Sequence, residues 1–225
     1  MTRDKFYEKQ LIRFIQDKDS KILVLGAGSL DKKIFTNLKY TDVTFSNIEN
    51  TTEKNLNYFE NIHEIKITDN KFDYCVAHAC IHHSSRPHAA ILELYRVCSK
   101  GALIIEANDS LISRIACKFN MSEKYELSAV EKNKTTGGVD NTNIPNYVYR
   151  WTEREVIKLM NSYKPQIIHK IFFDYGSQIK FTNSLIFKFA FKVFFFLFKK
   201  QQNLFSIFID KDSKNVNYHK WYNKK

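Results

Sequence analysis

Short apolar runs alternate with helical patterns through the first half of this 225-residue chain. The runs predict strands at 22–25, 43–45, 62–67, 74–77 and 103–105, and the continuous run 22–25 is typical of a parallel strand covered on both faces. Apolar residues three and four apart predict helices at 4–16 and 87–97. Ser29 is predicted to cap another helix, with Asp31 in its first turn. Strands that alternate with helices in this way predict a doubly wound, mostly parallel α/β sheet.

The second half has a different pattern. Residues 109–150 are polar and contain Thr136-Gly137-Gly138, so a loop-rich insertion with one short helix is expected there. Thr152, with Glu155 three residues later, predicts a capping box and a helix over 152–160. Further strands are expected at 167–173 and 204–209. With no internal repeat or long linker, we expect a single domain over 1–225, in which 110–150 and 176–202 are cap or insertion segments.

The composition indicates the cellular compartment and the charge of possible partners, but not the activity. The chain has 35 Lys and Arg against 24 Asp and Glu, a formal charge of +11. This charge permits anionic partners, although codon usage in an AT-rich genome also produces many lysines. The four cysteines form no C-x-x-C pair, which favours free thiols in a reducing compartment. Residues 1–10 carry five charges and no apolar run, so we expect no signal peptide and a cytoplasmic protein.

A phenylalanine-rich segment at 184–200 is the candidate for membrane contact. It has seven Phe between residues 187 and 198, and Lys188, Lys192 and Lys199 fall on one helical stripe. It is too short and too charged to span a bilayer. It could lie on an anionic membrane at the inner face, or cover a lipid-linked substrate. The alternative, which we favour from sequence, is a buried crossover helix with a thin solvated stripe.

The turn Gly26-Ala27-Gly28 directly follows the first predicted strand. Such a turn exposes backbone N–H groups and lets a ligand approach closely, but it serves several nucleotide cofactors. Four histidines gather at the end of the fourth predicted strand, where ligands bind in open parallel sheets; they are His78, His82, His83 and His88. Histidine is suited to general-base chemistry. No metal is expected, because adjacent histidines without a nearby thiolate are not a usual zinc-ligand spacing.

The order of these segments over 21–109 resembles that of class I S-adenosylmethionine-dependent methyltransferases. The resemblance rests on the glycine turn, on residues 65–73 ending in Phe72-Asp73, on Ile81-His82-His83, on 93–97 and on Lys100-Gly101-Ala102. It implies a Rossmann-like, seven-stranded sheet with its last strand antiparallel. It also implies S-adenosyl-L-methionine as cofactor and methyl transfer to a small-molecule acceptor, such as a lipid- or sugar-linked metabolite.

The resemblance also assigns site residues. The cofactor would contact Gly26, Ala27, Gly28, Asn47, Asn61, Ile62 and His78. Leu30 departs from the family pattern by replacing a third glycine, and Asn47 and Asn61 replace carboxylates. An amide can accept from one ribose hydroxyl, but without a full charge. Glu49 would be the ribose acceptor if the strand end is shifted; otherwise it is an ordinary solvated residue.

The expected catalytic bases are His82, His83 and Asp109, and we predict that His82 lies closer to the acceptor than His83. The acceptor would meet Tyr147, Tyr149 and Arg150, in a lid before the helix at 152–160. Arg150 could pair with a phosphate or carboxylate. Alternatively, these aromatic residues only anchor the loop on the core, with Arg150 on the surface.

Two other functions are alternatives to methyl transfer. A dinucleotide oxidoreductase would have an acid after the second strand and a longer second nucleotide-binding half, and both are missing. A degenerate methyltransferase fold acting as a basic binding module, for RNA or a protein, stays open because of Leu30, Asn47, Asn61 and the net charge. No nucleic-acid-binding motif is present, so no specific nucleic-acid partner is expected.

Overall fold

A computed structural model describes residues 2–48, 61–131, 135–177, 185–212, 214 and 216–222. Its main sheet has six strands in the order β2-β1-β3-β4-β7-β6, and β7 is the strand that runs antiparallel to both of its neighbours. A separate antiparallel pair joins β5 to β8. The strands are β1 Ile22–Leu25, β2 Val43–Ser46, β3 Phe72–His78, β4 Cys98–Ala107, β5 Ile167–Ile168, β6 Lys170–Gly176, β7 Leu204–Asp210 and β8 Asn217–Tyr218.

Helices cover both faces of this sheet. They are α1 Arg3–Phe14, α2 Ser29–Asn37, α3 Pro87–Val97, α4 Leu111–Lys118, α5 Leu127–Glu131, α6 Glu153–Tyr163 and α7 Leu185–Leu197. One apolar cluster packs α3 and α6 against one face, and another packs α1 and α2 against the other. Trp151, which is fully buried, is the largest side chain of the first cluster. The predicted doubly wound α/β fold is therefore confirmed, but the main sheet has six strands among the described residues where seven were expected, because the segment at 62–67 does not join it.

Helix starts follow local capping chemistry. The Thr152 hydroxyl accepts the Glu155 N–H at the start of α6, and proline occupies the first turn of α3. The predicted cap at Ser29 is wrong. Gly28 is the N-cap of α2, and the Asp31 carboxylate accepts its N–H at 2.9 Å. The insertion holds two helices, α4 and α5, where one was expected.

The strand predicted at 62–67 does not form. Ile65 is buried, as the apolar pattern requires, but its N–H donates to the Glu93 carboxylate instead of to a neighbouring strand. The Arg96 guanidinium donates to the carbonyls of Ile65 and Ile67, each at 2.7–2.8 Å. Side chains of α3 therefore replace the strand ladder. The strand predicted at 167–173 is split between β5 and β6, which belong to different sheets.

The phenylalanine-rich helix α7 is not buried as the favoured expectation held. Phe195 packs inward and is 6% exposed, but Phe196 is 85% exposed. Other exposed apolar side chains on or next to the helix are Phe189, Val193, Leu197 and Phe198. Among the described residues, no helix has the length and apolar character needed to cross a membrane.

Candidate active site

The turn after β1 is shaped by Gly26. Its φ is +62°, a left-handed conformation, and an added Cβ would lie 2.4 Å from the Cβ of Cys80. The Cys80 thiol donates to the Leu25 carbonyl at 3.3 Å. Gly26 therefore allows the loop after β3 to pack directly on this turn. Gly28 has an ordinary φ of −116°, and an added Cβ would meet only an Asp31 oxygen at 3.8 Å.

A cavity of about 230 Å³ lies at the carboxyl ends of β1, β2 and β3. Four of the predicted cofactor residues line it together, namely Gly26, Asn47, Asn61 and Ile62. His83 and Ser84 also line it, and Gly137, Gly138, Asp140 and Asn141 of the insertion close another side. Glu49 lies outside the described residues.

The amide of Asn47 joins the end of β2 to the glycine turn. Its Nδ2 donates to the Ala27 carbonyl at 3.2 Å, and its Oδ1 accepts the Ile48 N–H at 2.7 Å. Ala27 itself is buried, so it supports the turn from behind. Neither Ala27 nor Gly28 is among the residues that line the cavity.

His78, at the end of β3, is buried against α1. Its ring stacks on Tyr7 with centroids 4.3 Å apart, and its Nε2 accepts a hydrogen bond from Arg3 Nε at 2.9 Å. Burial, reinforced by the Arg3 charge, lowers the pKa of His78 to about 3. This imidazole is therefore neutral at neutral pH, and it does not line the cavity described above.

His82 lies between two carboxylates. Its Nδ1 donates to Glu106 at 2.6 Å, and its Nε2 is 3.4 Å from an oxygen of Glu126. Burial alone would lower the pKa of His82, but the charges and hydrogen bonds of Glu106 and Glu126 outweigh it and raise that pKa to about 10. In this state His82 is an imidazolium, which has no lone pair with which to act as a base.

His83 shares the second carboxylate. Its Nε2 is 3.3 Å from the same Glu126 oxygen, and its ring centroid is 4.6 Å from that of His82. Hydrogen bonds from the two histidines, which outweigh partial burial, lower the pKa of Glu126. Of the two histidines, His83 is the one that lines the 230 Å³ cavity. Sequence reasoning missed Glu126, because nothing in an irregular insertion signals a long-range contact.

A second cavity of about 470 Å³ adjoins the first at Ala79, which lines both. His82, Glu106 and Glu126 form part of its wall. Arg3 and Arg150 contribute positive charge, and β4, the loop after α4 and the start of β7 supply much of the rest. The titratable cluster therefore lies where the two cavities meet.

The remaining predicted site residues come together in a third place. Asp109, Tyr147, Tyr149 and Arg150 all line an open groove of about 1080 Å³. Asp109 is paired with Arg114 at 2.8 Å, and Tyr149 donates to Glu155. Arg150 also borders the second cavity, where its guanidinium donates to the Glu123 carbonyl at 2.7 Å and to Ser122.

A histidine that sequence reasoning did not select fixes the insertion over the first cavity. His63 Nδ1 is 2.6 Å from the Ser84 hydroxyl and 3.5 Å from Asp140. Asp140 also accepts the Ser85 N–H at 3.0 Å. These contacts join the loop at 139–141 to the segment after β3.

Comparisons with known proteins agree with this geometry. Residues 26–105 match the family model described as a methyltransferase domain. The matched residues run from the glycine turn into β4 and include His78, His82 and His83. No curated protein sequence matches it significantly. This match and the fold are those of S-adenosylmethionine-dependent methyltransferases, in agreement with the resemblance seen in the sequence.

Solved structures share the fold at low sequence identity. An S-adenosylmethionine-dependent methyltransferase from Archaeoglobus fulgidus is 14% identical, with a TM-score of 0.53 over 92% of this chain and 94% of that one. Phosphoethanolamine N-methyltransferase 2 of Haemonchus contortus, solved with phosphomonomethylethanolamine and S-adenosylhomocysteine, is 13% identical, with a TM-score of 0.53 over 92% and 53%. The [4+2]-cyclase SpnF is 11% identical, with a TM-score of 0.56 over 93% and 81%. Because a cyclase has the same fold, the fold alone does not determine the reaction, and the site residues decide it.

The first cavity has the chemistry that S-adenosylmethionine requires. Asn47 and Asn61 offer amide groups for ribose hydroxyls, and Ile48 and Ile62 offer apolar surface for a purine ring. Gly26 lets the backbone approach closely. The volume enclosed by the described residues is somewhat below the usual range for ligand sites.

Proposed function

We propose that this chain transfers a methyl group from S-adenosylmethionine to a small-molecule acceptor. The observation that supports this most is the meeting of two cavities at Ala79, one suited to the cofactor and one beside the polar cluster. When bound, the cofactor supplies an electrophilic methyl group on its sulfonium. The chain's own contribution is to hold two ligands in line and to exclude water.

In the first cavity, the residues of the chain position the cofactor. Gly26 and Asn47 hold the turn and the end of β2 together, and the Asn61 and Ile62 segment faces them across the cavity. The insertion, fixed by His63 and Ser84, covers the opening. Each of these groups comes from a different element, so the complete site depends on the folded sheet.

The size and polarity of the second cavity limit the acceptors that it can bind. A cavity of about 470 Å³ accommodates a small metabolite. Its charged wall, with Arg3, Arg150, Glu106 and Glu126, suits an acceptor with several polar groups. Because His82 is held as an imidazolium, it orients and polarises the acceptor instead of taking its proton.

Asn47→Ala tests the cofactor side. We expect the affinity for S-adenosylmethionine, measured by isothermal titration calorimetry, to fall about tenfold, or about 1.4 kcal/mol, because one hydrogen bond to the ribose is lost. The matched control is Asn37→Ala, at the exposed end of α2, which should bind like the wild type. Equal affinity in the two variants would mean that the cofactor lies elsewhere. A wild-type chain that does not bind the cofactor at all would favour the alternative of a basic binding module.

Peripheral membrane binding is a second proposed function, and it rests on helix α7. Phe189, Phe196 and Phe198 expose more than half of their surface. Lys192 is exposed on the same helix, and the chain is strongly basic. An exposed aromatic surface with lysine beside it is the pattern of a helix that lies in the interface of an anionic bilayer.

Vesicle sedimentation tests membrane binding. Wild-type protein should sediment with phosphatidylserine-containing vesicles, and less so as salt rises. Phe196→Ser with Phe198→Ser should weaken the partition at least tenfold, because each buried Phe contributes about 1.5–3 kcal/mol. Phe119→Ser, an equally exposed Phe on a different element, should not change it. Wild-type protein that stays in the supernatant would refute this function.

A further inference from the structure

Three side chains at the junction of the cavities converge on one small volume. His82, His83 and Glu126 each offer a ligand atom, and these atoms lie within 4.8 Å of one another. The Glu126 oxygen is 3.4 Å from His82 Nε2 and 3.3 Å from His83 Nε2. Zinc binds nitrogen and oxygen at about 2.0–2.2 Å in a tetrahedron, whose ligand atoms are then about 3.3 Å apart. The two distances from the Glu126 oxygen to the histidine nitrogens therefore match the ligand spacing of a tetrahedral zinc site.

A fourth side chain supports the arrangement from behind. Glu106, which is 2% exposed, accepts from His82 Nδ1 at 2.6 Å, and its other oxygen accepts the Ile81 N–H at 2.8 Å. Histidines that bind metals almost always donate their second ring N–H to such a carboxylate. The contact sets the tautomer that presents His82 Nε2 toward His83 and Glu126.

We infer that His82, His83 and Glu126 bind a divalent transition-metal ion of the zinc class. Two imidazoles and one carboxylate suit such an ion better than magnesium or calcium, which prefer oxygen ligands. The ion would replace the Nε2 proton of His82, while the Nδ1 proton stays in the hydrogen bond to Glu106. The ion, instead of the imidazolium, would then polarise the acceptor. With three protein ligands, the fourth position stays open. The three side chains border both cavities, because His83 lines the first and His82 and Glu126 line the second.

The proposed ligands are not all close in sequence, so their spacing does not indicate a metal site. The third ligand comes from the insertion after α4, and the supporting carboxylate comes from the end of β4. The fold brings these elements together at the carboxyl edge of the sheet. The proposed role of the ion rests on the proposed methyl transfer: a bound acceptor hydroxyl or amine would become more acidic.

Metal titration of the full chain tests the site without turnover or cofactor. After removal of metals with a chelator, Co²⁺ should bind with one equivalent and give the visible absorption of a tetrahedral site, and Zn²⁺ should displace it. His83→Asn and Glu126→Gln should each weaken Zn²⁺ binding roughly a hundredfold. Both side chains are partly exposed, so the variants should fold, which far-UV circular dichroism checks.

The matched control is His88→Asn. His88 lies near the same end of the sheet, but it pairs with Glu155 at 3.0 Å, so its loss should leave Zn²⁺ affinity unchanged. The inference is overturned if the wild type binds no metal, or if its binding is unchanged in His83→Asn and Glu126→Gln. Since S-adenosylmethionine is absent from the titration, a failure of the cofactor site would not alter either result.

Discussion

Replacing Gly26 with valine should lower the free energy of unfolding by about 3 kcal/mol and abolish S-adenosylmethionine binding. The left-handed φ of +62° costs a residue with a side chain about 1–2 kcal/mol. The new Cβ would also lie 2.4 Å from that of Cys80, and such overpacking costs about 1–3 kcal/mol. Chemical denaturation and calorimetric titration would measure the two effects.

The same turn offers a matched control. Gly28→Ala places its Cβ in ordinary contact with an Asp31 oxygen at 3.8 Å, with an ordinary φ, so it should lower the free energy of unfolding by no more than about 1 kcal/mol, the preference for glycine over alanine at an N-cap. A double-mutant cycle tests whether the contact with Cys80 causes the destabilisation. Cys80→Gly should restore part of the free energy of unfolding lost in Gly26→Ala, because the contact between the two Cβ atoms is then gone. If Gly26→Ala is as stable as Gly28→Ala, the close contact between the turn and Cys80 is not the reason for a glycine at position 26.

The sequence could predict those parts of the molecule that local chemistry determines. Continuous apolar runs marked β1 and β3, and the glycines marked the turn. The resemblance to methyltransferases, and not the apolar pattern, assigned Gly26, Asn47 and Ile62 to one cofactor site. In the structure they line one cavity. The resemblance to methyltransferases added the cofactor, which these patterns alone could not name.

The chemistry of the histidines could not be predicted, because it depends on distant partners. A histidine after β3 looks like a base, since its ordinary pKa is near neutrality. Glu106 and Glu126 reverse this expectation for His82 by raising its pKa to about 10. Glu126 lies in an insertion without periodicity, so no pattern could have placed it there. For the same reason the sequence could not decide whether α7 is buried or exposed, since a sequence does not show what packs on a helix.

The segment at 61–71 shows how side chains can replace a strand, and it leads to the second prediction. Arg96 donates to the carbonyls of Ile65 and Ile67 and pairs with Glu93 and Asp69 at 2.7–2.8 Å. Arg96→Leu should lower the free energy of unfolding by about 3 kcal/mol, because several hydrogen bonds with a charged partner are lost. It should also weaken cofactor binding, since this segment carries Asn61 and Ile62 to the cavity.

Urea denaturation measures the stability loss, and amide exchange over 61–70 locates it. The control is Arg86→Leu, at the other end of α3, where the side chain is 61% exposed and its contact with Glu64 is 3.9 Å long. Such a pair contributes little, so this variant should lose less than about 1 kcal/mol. Arg96→Lys should not rescue stability, because one ammonium cannot reproduce the fork that joins two carbonyls and two carboxylates. Unchanged exchange at Ile65 and Ile67 in Arg96→Leu would show that burial of the isoleucines alone holds the segment in place.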